Sequence, residues 1–173
     1  DRSLVQSEYN IRVDQCTHAL EIINNKTGKS KKMNEVIHED LECLKRNSIH
    51  FNRLDHVISE NDRVRRMVKA VKANSLVDIG NILNESHLSL SRKYNVSCVQ
   101  IEFIIKSSRK VSGFYGGRIM GGGFGGNTIN LIREGAEMKY SKYIEKKYLD
   151  KFQIIPKIRI VNFTDGAKVI NNI

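Results

Sequence analysis

Residues 116–126, Gly-Gly-Arg-Ile-Met-Gly-Gly-Gly-Phe-Gly-Gly, hold seven of the chain's twelve glycines. Glycine has no Cβ, so it enters positive φ and lets another group come close to the main chain. The cluster is preceded by Gly113-Phe114-Tyr115, whose aromatics suit a strand. It is followed by Thr128-Ile129-Asn130-Leu131-Ile132, which alternates as a half-buried strand does. A flexible linker would be rich in Gly and Ser and would lack buried-type residues at its edges. A structural turn with a β-bulge would need one or two glycines. The pattern therefore predicts a backbone loop that packs against a phosphate or against another phosphate-binding loop.

Upstream of this loop the apolar residues repeat at helical spacing. Cys16, Ala19, Leu20 and Ile23 predict a helix over 8–24, and Val36, Ile37, Leu41 and Leu44 a short one over 33–46. Leu54, Val57, Ile58, Val68 and Val71 predict a helix over 51–73 with all five on one face. Leu76, Ile79, Leu83 and Leu90 predict another from Asn74-Ser75 to about residue 91. Ser97 with Gln100 reads as a capping box for a helix bearing Ile101, Ile104 and Ile105. Beyond it, strands are expected near 114–119, 127–133, 154–162 and 167–171, with a helix over 136–149. Pro156, the one proline, fits an edge strand or bulge. Helices first and a small, mostly antiparallel sheet afterwards predict an α+β fold.

The chain's 173 residues suffice for one domain with a real core. No apolar run reaches membrane-spanning length, and Asp1-Arg2-Ser3 does not open a secretion signal or a transit peptide. Cys16, Cys43 and Cys98 are widely separated and form no CxxC pair, so they read as reduced thiols and the cytoplasm is the expected compartment. The net charge of +10 raises the question of nucleic acid. Its basic residues are scattered among acidic ones without an aromatic stacking strand, which argues for solvated helix faces instead. Neither a nucleic-acid nor a membrane partner is expected.

The glycine segment closely resembles the third signature motif of the GHMP small-molecule kinases, in its galactokinase form. Four further segments stand in matching order. Ser3-Leu4, Ser7-Glu8-Tyr9, Arg12 and Cys16 resemble the stretch leading into the second half of a galactokinase. Arg53, His56-Val57 and Glu60 resemble its RAxHVxxE helix; Glu85-Ser86-His87, Leu90, Tyr94 and Val96-Ser97-Cys98 resemble its ESHxSLxxxYxVSC run; Asp165-Gly166-Ala167 resembles its DGA. The family's PGRVNLIGEH-type segment and its Ser-rich phosphate loop have no counterpart here.

The resemblance implies the C-terminal portion of a galactokinase. Residues 1–12 would be the junction from the other half and 13–173 the C-terminal domain, helical over 13–110 and sheet-rich over 111–173. It implies a ferredoxin-like layer that packs against the N-terminal half, with ATP and Mg2+ as cofactors and galactose as substrate. The family's catalytic aspartate would lie outside this segment. Gly121, Gly122, Gly123, Gly125 and Gly126 would line the nucleotide-phosphate side of the cleft by backbone, because phosphoryl transfer depends on positioned donors and charge stabilisation. Tyr9 would hydrogen-bond the sugar. Met120 stands where galactokinases usually have threonine, and Asn127 where they usually have cysteine.

Two other functions remain open at this stage. One is an N-acetylgalactosamine kinase, although Gly123-Phe124 favours a galactokinase. The other is a non-catalytic sugar sensor of galactokinase type. Glu85 and His87 are not expected to converge on a helix. For His56, pairing with Glu60 four residues on is a sufficient account. His18, His38 and His50 lack metal-ligand spacing, and Asp165-Gly166 reads as a hairpin signal.

Overall fold

The computed structural model describes residues 2–161, with residues 2–7 described by their backbone alone. Asp165-Gly166-Ala167 and the strand expected over 167–171 lie outside the described residues.

Helix α1, Arg2–Thr27, buries Cys16, Ala19 and Ile23 along one stripe. Its partner is α2, Ile49–Lys72, which contributes Leu54 and Ile58 to the same cluster. Full burial of such side chains contributes roughly 1.5–3 kcal/mol each. Ser48 starts α2: its hydroxyl accepts a hydrogen bond from the Phe51 amide at 3.2 Å.

Two expectations about this helical half need correction. Residues 33–46 form two 3-10 turns, Met33–Glu35 and His38–Cys43, not an α-helix. Carboxylates capture the local amides. Glu35 accepts from the Lys32 amide at 2.7 Å and Asp40 from the Ile37 amide at 2.9 Å, while Lys31 pairs with Asp40. Val36, Leu41 and Leu44 still reach the α1–α2 core. The other correction concerns the far end of α2, where Val68 and Val71 are half exposed and do not share the buried face of Leu54 and Ile58.

Helix α3, Leu76–Ser89, runs into a π-helical turn at Leu90–Tyr94, which ends at Asn95 in the left-handed region. Helix α4, Val99–Ser108, follows. Its capping residue is Cys98, with no side-chain cap, so the expected Ser97–Gln100 box does not form. The Ser97 hydroxyl donates instead to Glu102 at 2.5 Å.

Strands β1, Phe114–Met120, and β2, Asn127–Ile132, pair antiparallel, with a bulge between Phe114 and Gly116. Helix α5, Glu137–Phe152, packs Tyr140 and Ile144 against Val111, Phe114 and Ile132. The expected strand over 154–162 does not form within the described residues. Ile154, Ile155, Ile160 and Val161 are largely exposed there, and Ile158 packs against the Val111, Tyr140 and Ile144 cluster without strand pairing. The sheet of the described residues is the β1–β2 pair, and the α+β class stands.

Candidate functional site

The β1–β2 connection is built from backbone. Gly121, Gly123, Gly125 and Gly126 all have positive φ, and so does Phe124, at 58°. Glycine carries little cost in that region; a phenylalanine must be held there. Phe124 is held from two sides. Its amide donates to the Val96 carbonyl at 2.6 Å, and the Arg12 guanidinium lies over its ring, 5.3 Å from the centroid.

Within the glycine cluster the roles divide. A Cβ on Gly123 would strike the Val96 backbone and side chain, so this glycine lets the loop dock onto the segment after the π turn. Gly116 and Gly117 belong to strand β1 and not to the loop. A Cβ on Gly116 would overlap the backbone of Gly80 in α3, and one on Gly117 would overlap the Asn130 side chain. Gly121, Gly125 and Gly126 have nothing within 4 Å of their Cβ positions. Their outer side is open, which is the geometry needed for a bulky anionic group to come up against the main chain.

Gly122 faces Tyr9. Its Cβ position lies 3.8 Å from Tyr9 Cδ2, so the aromatic ring of α1 stands at the edge of the loop. Tyr9 is 48% exposed, and its hydroxyl makes no hydrogen bond among the described residues. Met120 and Asn127 pair across the last rung of the ladder, at the base of the loop.

No family model matches the chain. Similarity to individual proteins is extensive. The galactokinase of Thermosipho africanus is 40% identical over 167 residues, covering 96% of this chain and 46% of that protein. That of Clostridium acetobutylicum is 31% identical, covering 98% and 44%. The chain matches part of a galactokinase. The fold agrees: the crystal structure of Lactococcus lactis galactokinase complexed with galactose superposes with a TM-score of 0.78 at 26% identity, covering 86% of this chain and 39% of that one. The chain thus spans a little under half the length of the galactokinases it matches.

In this chain the acid–base candidates do not assemble. Glu85 takes a two-point bond from Arg66 of α2, at 2.6 and 2.8 Å, which holds its carboxyl below the usual range. His87 points the other way. It is buried, with Nε2 3.3 Å from Glu102 Oε1 but neither ring nitrogen in hydrogen-bond geometry, and burial lowers its pKa. His56 does not pair with Glu60 as expected. Its Nδ1 lies 2.8 Å from Ser89 Oγ and its ring lies against Tyr94, and burial brings its pKa down to about 4. Glu60 instead gathers Arg63, the Ser86 hydroxyl at 3.0 Å and Arg118 at 3.3 Å. Among the described residues no group of three His, Cys, Asp or Glu could hold a metal ion.

Three residues that position the loop carry little signal in the sequence. Gly80 alone is visible, as an isolated glycine inside a helical pattern. Asn84 bridges the β-bulge, donating to the Tyr115 carbonyl at 3.2 Å and accepting from the Gly117 amide at 3.3 Å. Arg118 ties β1 to Glu60 of α2.

Proposed function

We propose that this chain is the C-terminal portion of a galactokinase that transfers a phosphoryl group from ATP to the anomeric hydroxyl of galactose. The observation that carries the reading is the meeting of Tyr9 with Gly122. It joins an exposed aromatic, whose hydroxyl makes no hydrogen bond among the described residues, to a loop whose outer glycines are bare. A phosphate accepts hydrogen bonds from backbone amides, and Gly121, Gly125 and Gly126 leave the room that such an approach requires. ATP supplies the phosphoryl group when bound. This chain's part is to shape the phosphate side of the cleft and to orient the sugar through Tyr9. Magnesium finds no ligand set among the described residues, and none of them is assigned to it.

The division of labour gives a direct test. The full-length protein should release ADP from ATP and magnesium in a galactose-dependent manner. The 173-residue chain alone should not, because the described residues bring no general base to the loop. Galactose-dependent turnover by the isolated chain would move the active site into this segment and overturn the assignment. The Met120–Asn127 rung, which departs from the usual motif on both strands, favours a non-catalytic sugar sensor as the second reading. That protein would bind galactose and release no ADP.

A further inference from the structure

Arg12 is 6% exposed, yet among the described residues it has no deeply buried carboxylate partner. Its Nε donates to the Tyr94 carbonyl at 3.1 Å and an Nη to the Asn95 carbonyl at 3.0 Å. The same guanidinium pairs with half-exposed Glu8 at 3.1 Å and covers the Phe124 ring. Val96, the next residue after those two carbonyls, receives the Phe124 amide and sets the limit on Gly123. One side chain therefore ties together the first turns of α1, the exit from the π turn and the middle of the glycine loop. Tyr9 sits one turn before Arg12 on the same helix.

We propose that Arg12 is a positioning residue that locks Tyr9 and the glycine loop into one unit, so that occupancy of the sugar side and of the phosphate side favour each other. The proposal rests on the galactokinase reading for the identity of the two ligands. Arginine is required by geometry. Its planar fork reaches two successive carbonyls while its face covers an aromatic ring, and a lysine ammonium offers one point of attachment and no face. Loss of the fork frees Phe124 to leave the left-handed conformation. The loop is then no longer held in register with Tyr9. Coupling of this kind is reciprocal between two ligands and typically amounts to about 5- to 150-fold in affinity.

The test uses the full-length protein and Arg12→Lys. Galactose affinity is measured by calorimetry with and without a non-hydrolysable ATP analogue, and amide exchange is followed at Phe124. In the wild type the analogue should tighten galactose binding by at least about fivefold. In Arg12→Lys that ratio should fall below about twofold, with faster exchange at Phe124 and unchanged exchange at Leu54 and Ile58 in the α1–α2 core. Unchanged exchange at Phe124 overturns the latch, and a wild-type ratio in the variant overturns the coupling. A wild type that binds neither ligand removes the galactokinase reading and the coupling together, and the exchange measurement still decides the latch. Should Arg12→Lys not fold, Phe124→Leu removes the ring beneath the guanidinium and keeps both carbonyl bonds. It should loosen the loop in the same direction, and failure to do so overturns the role of the stack.

Discussion

Gly80 of α3 and Gly116 of β1 meet through their backbones, with no side chain between helix and strand. The bulge between Phe114 and Gly116 and the Asn84 bridge hold the strand in that position. Alanine at Gly116 should therefore be costly. Its Cβ would overlap Gly80, and forced overpacking of this kind costs about 1–3 kcal/mol. Alanine at Gly80 would also strike the Tyr115 backbone, but it recovers about 0.8–1.0 kcal/mol of helix propensity. Urea denaturation of the full-length protein should rank Gly116→Ala as the more destabilised. A Gly80→Ala variant more stable than wild type would mean that helix and strand are not in close approach.

The two kinds of loop glycine should respond differently. Gly123→Ala and Gly125→Ala both place a side chain at positive φ, a strain of roughly 1–3 kcal/mol. Only Gly123→Ala also collides with Val96. We expect it to lower kcat/KM for ATP by on the order of tenfold more than Gly125→Ala, since each tenfold corresponds to about 1.4 kcal/mol. Steady-state kinetics on the pair provides the check, and equal losses would remove Val96 as the seat of the loop.

Tyr9→Phe removes one exposed hydroxyl and keeps the ring beside Gly122. A neutral hydrogen bond contributes about 0.5–1.5 kcal/mol net, so galactose KM should rise roughly two- to twelve-fold. The KM for ATP and the melting temperature should hardly move. A drop in stability with unchanged galactose KM would make Tyr9 a packing residue.

His56 sets a pH dependence. Burial lowers its pKa from 6.5 to about 4, so the folded state disfavours the charged ring. Its contribution to stability is complete above the unfolded value, erodes as pH falls from 6.5, and is gone below about 4. The full shift corresponds to about 3 kcal/mol. His87, lowered in the same direction, adds to the slope, while the lowered carboxylates Glu60, Glu85 and Glu102 act only below their ordinary value of 4.5. Chemical denaturation of His56→Gln between pH 4.5 and 6.5 should show a shallower slope than wild type. An identical slope would mean that His56 is charged in the folded protein.

Much of this was legible in the residues. The Cys16–Ala19–Ile23 stripe and the strands flanking the glycines reflect periodicities that burial imposes directly. The apolar spacing of α2 predicts one face for all five residues, but periodicity says which residues share a side and not whether anything covers it. Leu54 and Ile58 meet α1, while Val68 and Val71 meet solvent. The 33–46 segment has helical spacing too, yet Glu35 and Asp40 satisfy nearby amides locally and break it into turns. At the site, the glycine count marked the loop, but a one-dimensional pattern does not separate Gly116 and Gly123, which face protein, from Gly121 and Gly125, which face open space. In the sequence Arg12 stands out only through the family resemblance; its stack on Phe124 joins residues 112 positions apart and needs the fold to be seen.

The exit from α3 has one more consequence, for the order in which the molecule loosens. Carbonyls of Lys93, Tyr94 and Asn95 carry the negative end of that helical run, and they receive Arg53 and Arg12. Carbonyls carry no net charge, and the burial of these anchors shields them from salt. The α2–α3 tie between Arg66 and Glu85 is of the opposite kind, an exposed ion pair that added salt weakens. Brine should therefore open the outer edge of the helical layer first, leaving the junction of α1 with the glycine loop closed.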